Sequence, residues 1–171
     1  MFTADEPSDS LTEPRELLVE YLDWYRDTLL RKIDGLSDEA LRGSELPSGW
    51  TPLELVKHLA FVERRWLQWG FAARPVDEPW GDNAPGTERW HVGVEESTGQ
   101  VIGFFRECCD ASREIVEAAE LSEVAAIGGR FGADRTPPTL SWILFHVLQE
   151  YARHVGQLDV VRELLDGAVG E

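Results

Sequence analysis

Basic side chains are scarce in this 171-residue chain, which has 16 Lys and Arg against 32 Asp and Glu and a formal net charge of −16. Nucleic-acid binding needs clustered Lys and Arg to neutralise phosphates, so this balance argues against a nucleic-acid partner. Long apolar runs are also missing. The longest nearly uncharged stretch, Leu140 to Leu148, is much shorter than the roughly 20 residues of a membrane-spanning helix. We therefore expect neither nucleic acid nor a membrane as a partner.

Cysteine is rare as well, and the two that exist, Cys108 and Cys109, are adjacent. Neighbouring side chains on one helix point in different directions, which makes a structural disulfide between them improbable. The N-terminal residues MFTADEPSDS are acidic and lack the apolar core of a secretory signal. We expect two reduced thiols and a cytoplasmic protein.

Helical periodicity dominates the rest of the chain. Four amphipathic segments, at about 14–35, 51–71, 95–120 and 139–166, are separated by stretches rich in Gly and Pro, and a short helical turn is expected at 37–41. No convincing strand pattern is present. This predicts an all-α fold, a four-helix bundle with long connections after its second and third helices. The length fits one domain over residues 1–171, with residues 1–12 expected to be flexible.

The clearest helix signals lie at the ends of the second and fourth segments. Thr51, Pro52 and Glu54 have the spacing of a capping box with proline in the first turn. The fourth helix is predicted to begin at Thr139 and to have Gly167 in its C-cap region.

The four histidines, at positions 58, 91, 146 and 154, are the candidates for chemistry. HVLQEYARH sets His146, Glu150 and His154 at four-residue steps, so they share one helix face. His58 lies in LVKHLAFVE and shares its face with Leu55 and Val62, so it is expected to point inward. A core-facing surface that carries His, Glu and His needs polar partners, because unpaired buried polar groups cost free energy.

Ligands of this type favour a divalent cation. Two imidazoles and one carboxylate leave an open position, as in catalytic zinc sites, and a net charge of +1 that can lower the pKa of a bound water or thiol. The spacing alone also fits a polar helix face that exchanges salt bridges with Arg64 or Arg153. A di-iron centre is disfavoured, because the Glu-x-x-His spacing of ferritin-like sites is absent.

Two segments, PSGWTPLELVKHLAFVERRW and WILFHVLQEYARHVGQLDVVRE, resemble the DinB-like four-helix bundle superfamily. The closest resemblance is to the branch related to mycothiol-dependent maleylpyruvate isomerase and to bacillithiol and mycothiol S-transferases, and it covers nearly the whole chain. It implies a divalent metal, zinc above all and nickel as the other candidate. Its ligands would be one His on the second helix and an [HE]-x3-H pair on the last, here His58, Glu150 and His154. Glu150 matches the variant found in the isomerase, whereas many relatives have three histidines.

The same resemblance implies a metal-dependent enzyme that activates a low-molecular-weight thiol of the mycothiol type. The thiol would be transferred to a small electrophile or would isomerise it. The isomerase has a further C-terminal domain that helps to hold its thiol, and this sequence ends with the bundle, which argues against isomerase activity itself. Two other functions stay open: metal-assisted hydrolysis by a bound water, and a non-catalytic metal-binding or stress-related bundle.

Two more polar residues adjoin the predicted ligands. His146 is expected to act as a further ligand, to hydrogen-bond a ligand or to meet substrate. Gln157, three residues after His154, is expected to orient a ligand, to bind substrate or to be an ordinary surface residue. Glu63 lies about 140° round the helix from His58, which favours a salt bridge with an arginine over catalysis.

The aromatic residues divide into two groups. The first consists of Trp24, Trp66, Trp69 and Trp142, which are interpreted as core or dimer-contact residues. The second lies on the connection after the second helix and either anchors that loop or covers the mouth of a site; it consists of Trp80, Trp90 and His91. Exposed aromatic helix faces and the resemblance together predict a homodimer, opposed by the charge of −16 and strengthened by salt.

Overall fold

The fold is entirely helical in the part of the chain that our computed structural model describes, residues 5–170. Its helices are α1 (Pro14–Ile33), α2 (Asp38–Arg42), α3 (Pro52–Glu63), α4 (Thr98–Glu117) and α5 (Leu140–Asp166), and α3 continues as a π-helical segment, Arg64–Phe71. Within this range the only β-type pairings are two isolated bridges. The all-α prediction is confirmed, whereas the flexibility expected for residues 1–12 concerns in part residues 1–4, which lie outside the described range.

The predicted helix ends are largely confirmed. The Thr51 hydroxyl accepts a hydrogen bond from the Glu54 backbone N–H at 3.2 Å, and the Glu54 carboxylate accepts one from the Thr51 N–H at 2.9 Å. Thr139 caps α5, and Gly167 ends it in the left-handed region with φ of 73°, a conformation that glycine adopts without strain. Ser37 caps the short helix α2 in the same manner.

Two predicted elements need correction. The third long helix was expected over 95–120 but extends only from Thr98 to Glu117, because Ser97 and Gln100 form a capping box that fixes a later start. The last eight residues of the predicted second helix are π-helical rather than α-helical. There the Ala72 N–H bonds to the carbonyl of Leu67, five residues earlier, over 2.9 Å.

The core lies between the four long helices. Helix α3 contacts α4 and α5, and α1 contacts α5. The predicted apolar stripes supply most of the core, and both cysteines are free and buried within it. Side chains that are fully buried include Leu22, Leu29, Leu59, Phe105, Leu144 and Tyr151.

One ion pair lies inside this apolar core. Glu63 is 0% exposed and accepts hydrogen bonds from Arg26 at 2.8 and 3.0 Å and from the Tyr151 hydroxyl at 2.8 Å. The predicted salt bridge between Glu63 and an arginine is therefore confirmed. This pair ties α1 to α3 and α5, on a different face of α3 from His58.

Two connections without helix, 72–97 and 118–139, pack against the end of α3 and its π-helical continuation. The first places Asp82 beside His58. The second is hydrogen-bonded to the π-helical segment, by Ala126 N–H to Phe71 at 2.8 Å and by Arg130 N–H to Trp69 at 3.0 Å. No helix within residues 5–170 is long and apolar enough to cross a membrane.

Candidate metal centre

His58, Glu150 and His154, the three residues expected to act as ligands, lie together between α3 and α5. One donor atom from each falls within 4.8 Å of the other two. Nε2 of His154 is 3.2 Å from Oε2 of Glu150, and the rings of His58 and His154 meet edge to face with centroids 5.1 Å apart. We refer to these three residues as the His/Glu/His cluster.

The hydrogen bond on the outer side of His154 fixes which ring nitrogen carries a proton. Nδ1 of His154 is 2.7 Å from the amide oxygen Oε1 of Gln157. A carbonyl oxygen only accepts, so Nδ1–H is the donor. Nε2 then faces the carboxylate of Glu150, where it either donates a second N–H to that carboxylate or presents a lone pair to a cation. The contact at Nδ1 is compatible with the orienting role expected for Gln157, which stays a prediction.

His58 is held in the same way by a buried carboxylate. Its Nδ1–H donates to Oδ2 of Asp82 at 2.9 Å. Asp82 is 1% exposed and also accepts two hydrogen bonds from Arg65, at 2.6 and 3.1 Å. Burial opposes ionisation of Asp82, but the hydrogen bonds from His58 and Arg65 prevail and lower its pKa. The second nitrogen of His58, Nε2, is therefore also a lone-pair donor.

This arrangement of donors fits a cation. Two imidazole lone pairs and a carboxylate repel one another at these distances unless a proton or a positive ion lies between them. In metal sites a ligating histidine commonly donates its other N–H to a carboxylate or carbonyl oxygen, as His58 and His154 do here. Nitrogen and oxygen donors of this kind suit zinc and similar divalent ions.

Trp90 forms one wall of the cluster. Its indole stacks on the His58 ring, with centroids 4.1 Å apart and planes inclined by 18°, and meets the His154 ring edge to face at 5.0 Å. A backbone bridge to Asn83 fixes its position on the connection. Of the loop aromatics expected near the site, Trp90 is in contact with it, whereas Trp80 lies over the Arg65 guanidinium and His91 is exposed.

His146 contacts the cluster from one helical turn away. Its Nε2 is 3.3 Å from Oε1 of Glu150, the oxygen that does not face His154. Its ring packs 4.1 Å from Trp66 and lies nearly parallel to Trp142 at 5.5 Å. His146 is thus in polar contact with Glu150, and the roles expected for it stay predictions. Trp142 is 52% exposed and so is not the core residue that the sequence allowed.

Sequence reasoning missed Asp82. It is one of several acidic residues in a connection without periodicity, and no spacing rule relates it to His58. The hydrogen bond from His91 N–H to the Asp82 carbonyl, 2.7 Å long, shows how the loop folds back to place both Asp82 and Trp90 at the same imidazole.

Asp82→Asn is expected to weaken metal binding by about 10- to 100-fold, the usual cost of losing a partner of a ligating histidine. The amide no longer supplies a negative charge to polarise and orient His58. Competition with a chromophoric chelator measures the affinity. Asp77→Asn, at an exposed position on the same connection, is the control and should behave as wild type. Equal affinities for both variants would contradict this role of Asp82.

Metal affinity should be constant near neutral pH and should decrease as the pH falls below neutral. Burial lowers the pKa of His58 below its usual 6.5, and the hydrogen bond with His154 lowers the pKa of Glu150 below 4.5. Both groups are then in their metal-binding forms at pH 7. Protons compete with the metal only below about pH 6.5, where each imidazole lowers the metal affinity by up to about tenfold per pH unit. Chelator competition from pH 8 to pH 5 tests this, and a constant affinity would contradict it.

The fold and the cluster define a helical protein with a two-histidine, one-carboxylate site between two helices. The family described as mycothiol-S-transferase matches residues 17–167, which include all the site residues discussed above. The chain belongs to this family. Among curated proteins, no significant match is found.

Proposed function

We propose that this protein is a metal-dependent S-transferase that activates a low-molecular-weight thiol of the mycothiol type for transfer to a small electrophile. The observation that carries the proposal is the meeting of two imidazoles and the Glu150 carboxylate, with Nδ1 of each imidazole held by Asp82 or Gln157, in a chain of the mycothiol-S-transferase family. His58, Glu150 and His154 would hold a divalent ion, with zinc as our choice and nickel as the alternative. The four long helices are proposed to form a DinB-like bundle around it.

When bound, the ion would lower the pKa of a thiol and so favour its nucleophilic thiolate form. The surrounding residues prepare the site for this. Asp82 and Gln157 hold a proton on Nδ1 of each imidazole, which leaves Nε2 for the ion. Glu150 offsets part of the positive charge of the ion. Trp90 covers one side of the His58 ring and limits the access of water.

The chain's own cysteines are unsuited to the role of nucleophile. Both are buried, and burial is the main cause that raises the pKa of Cys108 to about 12 and that of Cys109 further still. At neutral pH both are therefore thiols rather than thiolates. This supports a mechanism in which the reacting sulfur belongs to a separate small molecule.

The experiment is a thiol-consumption assay on metal-loaded protein with mycothiol and monochlorobimane. We expect consumption that is lost after chelation and in His154→Ala but is retained in His91→Ala, the exposed-histidine control. Consumption no faster than in chelated protein would contradict the proposal. Turnover of an ester or amide without thiol would instead indicate a hydrolase, and inactivity in both assays a metal-binding bundle without catalysis.

We also propose a cytoplasmic homodimer. Helix α5 has apolar side chains that are exposed in one protomer, namely Phe145 at 60%, Val160 at 49% and Leu164 at 57%. Apolar helix faces of this kind suit a two-fold contact. A reducing compartment agrees with the two free cysteines.

Salt should strengthen this association. Each copy has a formal charge of −16, so two copies repel each other at low ionic strength and less so when screened. Light scattering across a salt series is expected to show a rising dimer fraction. A species of 19.3 kDa at every salt concentration would contradict the dimer.

A further inference from the structure

A separate cavity of about 430 Å³ lies at the start of α5, two helical turns before the His/Glu/His cluster. Three aromatic rings, those of Trp66, Phe131 and Trp142, line it together with Arg135 and the segment 136–139. Its volume is in the range of small-molecule sites, which are typically apolar with a few polar groups at fixed positions. Trp142, on its rim, presents half of its surface to solvent.

His146 connects this cavity to the cluster. Its ring is 4.1 Å from Trp66 and 5.5 Å from Trp142, which it meets almost in parallel, at 11°. The same side chain contacts Glu150 through Nε2 at 3.3 Å. A molecule bound in the cavity would therefore be separated from the cluster by a single side chain.

Unneutralised positive charge lies beside the cavity. The guanidinium of Arg130 stacks over Trp66 at 4.2 Å, and burial together with the charges of Arg65 and Arg135 lowers its pKa. Arg65 is paired with Asp82, but within residues 5–170 no carboxylate pairs with Arg130 or Arg135. In a chain whose net charge is −16, two clustered arginines without an acidic partner are unexpected.

The backbone fixes Arg130 in this place. Its N–H donates to the Trp69 carbonyl at 3.0 Å, and the Gly128 N–H donates to the Phe131 carbonyl at 3.0 Å. Gly128 has φ of 112°, and a Cβ atom at Gly129 would collide with the backbone oxygen of Trp69. This turn therefore requires glycine and positions Arg130 against the π-helical segment.

We propose that this cavity binds a planar aromatic anion, with its ring against Trp142 and Trp66 and its carboxylate on Arg135 of the lining, supported by the positive charge of Arg130 beside it. Aromatic rings favour offset or edge-to-face contact with such a ligand, and guanidinium matches a carboxylate in two parallel hydrogen bonds. The cavity does not include the residues of the His/Glu/His cluster, so binding of the anion there does not rest on the proposed function.

Isothermal titration calorimetry with 2-naphthoate and its neutral analogue 2-naphthalenemethanol, in the absence of thiol, tests the proposal on protein as purified. We expect 2-naphthoate to bind at least tenfold more tightly than the alcohol. Arg130→Gln combined with Arg135→Gln should remove this preference, and Trp142→Ala, at a half-exposed position, should weaken both ligands by threefold or more. Arg106→Gln, an exposed arginine on α4, is the charge control and should bind as wild type does.

A second control separates this site from the metal cluster. His154→Ala should bind 2-naphthoate within twofold of wild type, because the cavity does not include that ligand. Loss of binding in His154→Ala with retention in the double arginine variant would place the anion on the metal and overturn the proposal, as would equal binding of acid and alcohol. If the mycothiol assay shows no thiol consumption while calorimetry gives the expected binding, the proposed function is refuted and the anion site is supported.

Discussion

Replacing His154 with alanine is expected to remove most of the metal from the purified protein. The variant keeps only His58 and Glu150 as donors, and it also loses the hydrogen bond by which Gln157 orients the ring. Loss of a partner of a ligand already costs about 10- to 100-fold in affinity, so loss of the ligand should cost more than about 100-fold. Metal content by atomic emission, before and after loading, is the measurement.

The comparison needs a histidine that belongs to no site and a check of folding. His91→Ala serves as the first, because His91 is exposed on the connection after the π-helical segment. Circular dichroism serves as the second, because His154 is only 6% exposed and its removal leaves a small cavity. A folded His154→Ala protein with the metal content of wild type would contradict the assignment.

Glu63→Gln is expected to cause a large loss of stability. It would leave the Arg26 guanidinium, 4% exposed, without its buried carboxylate. Removal of one partner from a buried ion pair typically costs about 3–5 kcal/mol. Urea denaturation should show a lower midpoint with an unchanged slope.

Two further variants define the origin of that loss. Glu114→Gln, at an exposed position on α4, should change the free energy of unfolding by less than about 0.5 kcal/mol. The double change Glu63→Leu with Arg26→Met removes both charges and should recover much of the stability, because apolar pairs of similar volume often replace buried ion pairs without loss. A loss below about 1 kcal/mol in Glu63→Gln would contradict the account.

The helices were predictable because their signals are local. The capping box at Thr51 and Glu54 and the glycine at position 167 act through hydrogen bonds and backbone angles within a few residues. The later start of α4 at Thr98 was also local, since Ser97 and Gln100 form a capping box that the prediction overlooked. Both capping boxes depend on contacts between residues three positions apart.

The π-helical segment was not predictable in this way. Its apolar residues fit a continued α-helix, and its backbone carbonyls accept hydrogen bonds from the distant connection 118–139. The bond from Arg130 N–H to Trp69 and the approach of Gly129 to the same carbonyl are examples. Tertiary contacts of this kind leave no periodic signal in the sequence.

The residues of the candidate site likewise fall into a group that local spacing predicts and a group that tertiary contacts place. Four-residue spacing places Glu150 and His154 on one face of α5, and the inward face of α3 carries His58, so these three could be predicted. Asp82 and Trp90 reach His58 only through the fold of the irregular connection. The contacts of these two residues with His58 therefore became visible only in the structure.

X-ray absorption at the zinc edge tests the central claim most directly, that the cluster holds an ion at which a small thiol binds. Zinc-loaded protein should show only nitrogen and oxygen neighbours, as expected for His58, Glu150 and His154. Saturating mycothiol should add one sulfur neighbour at about 2.3 Å. A spectrum that contains no sulfur neighbour at saturating mycothiol would contradict the claim.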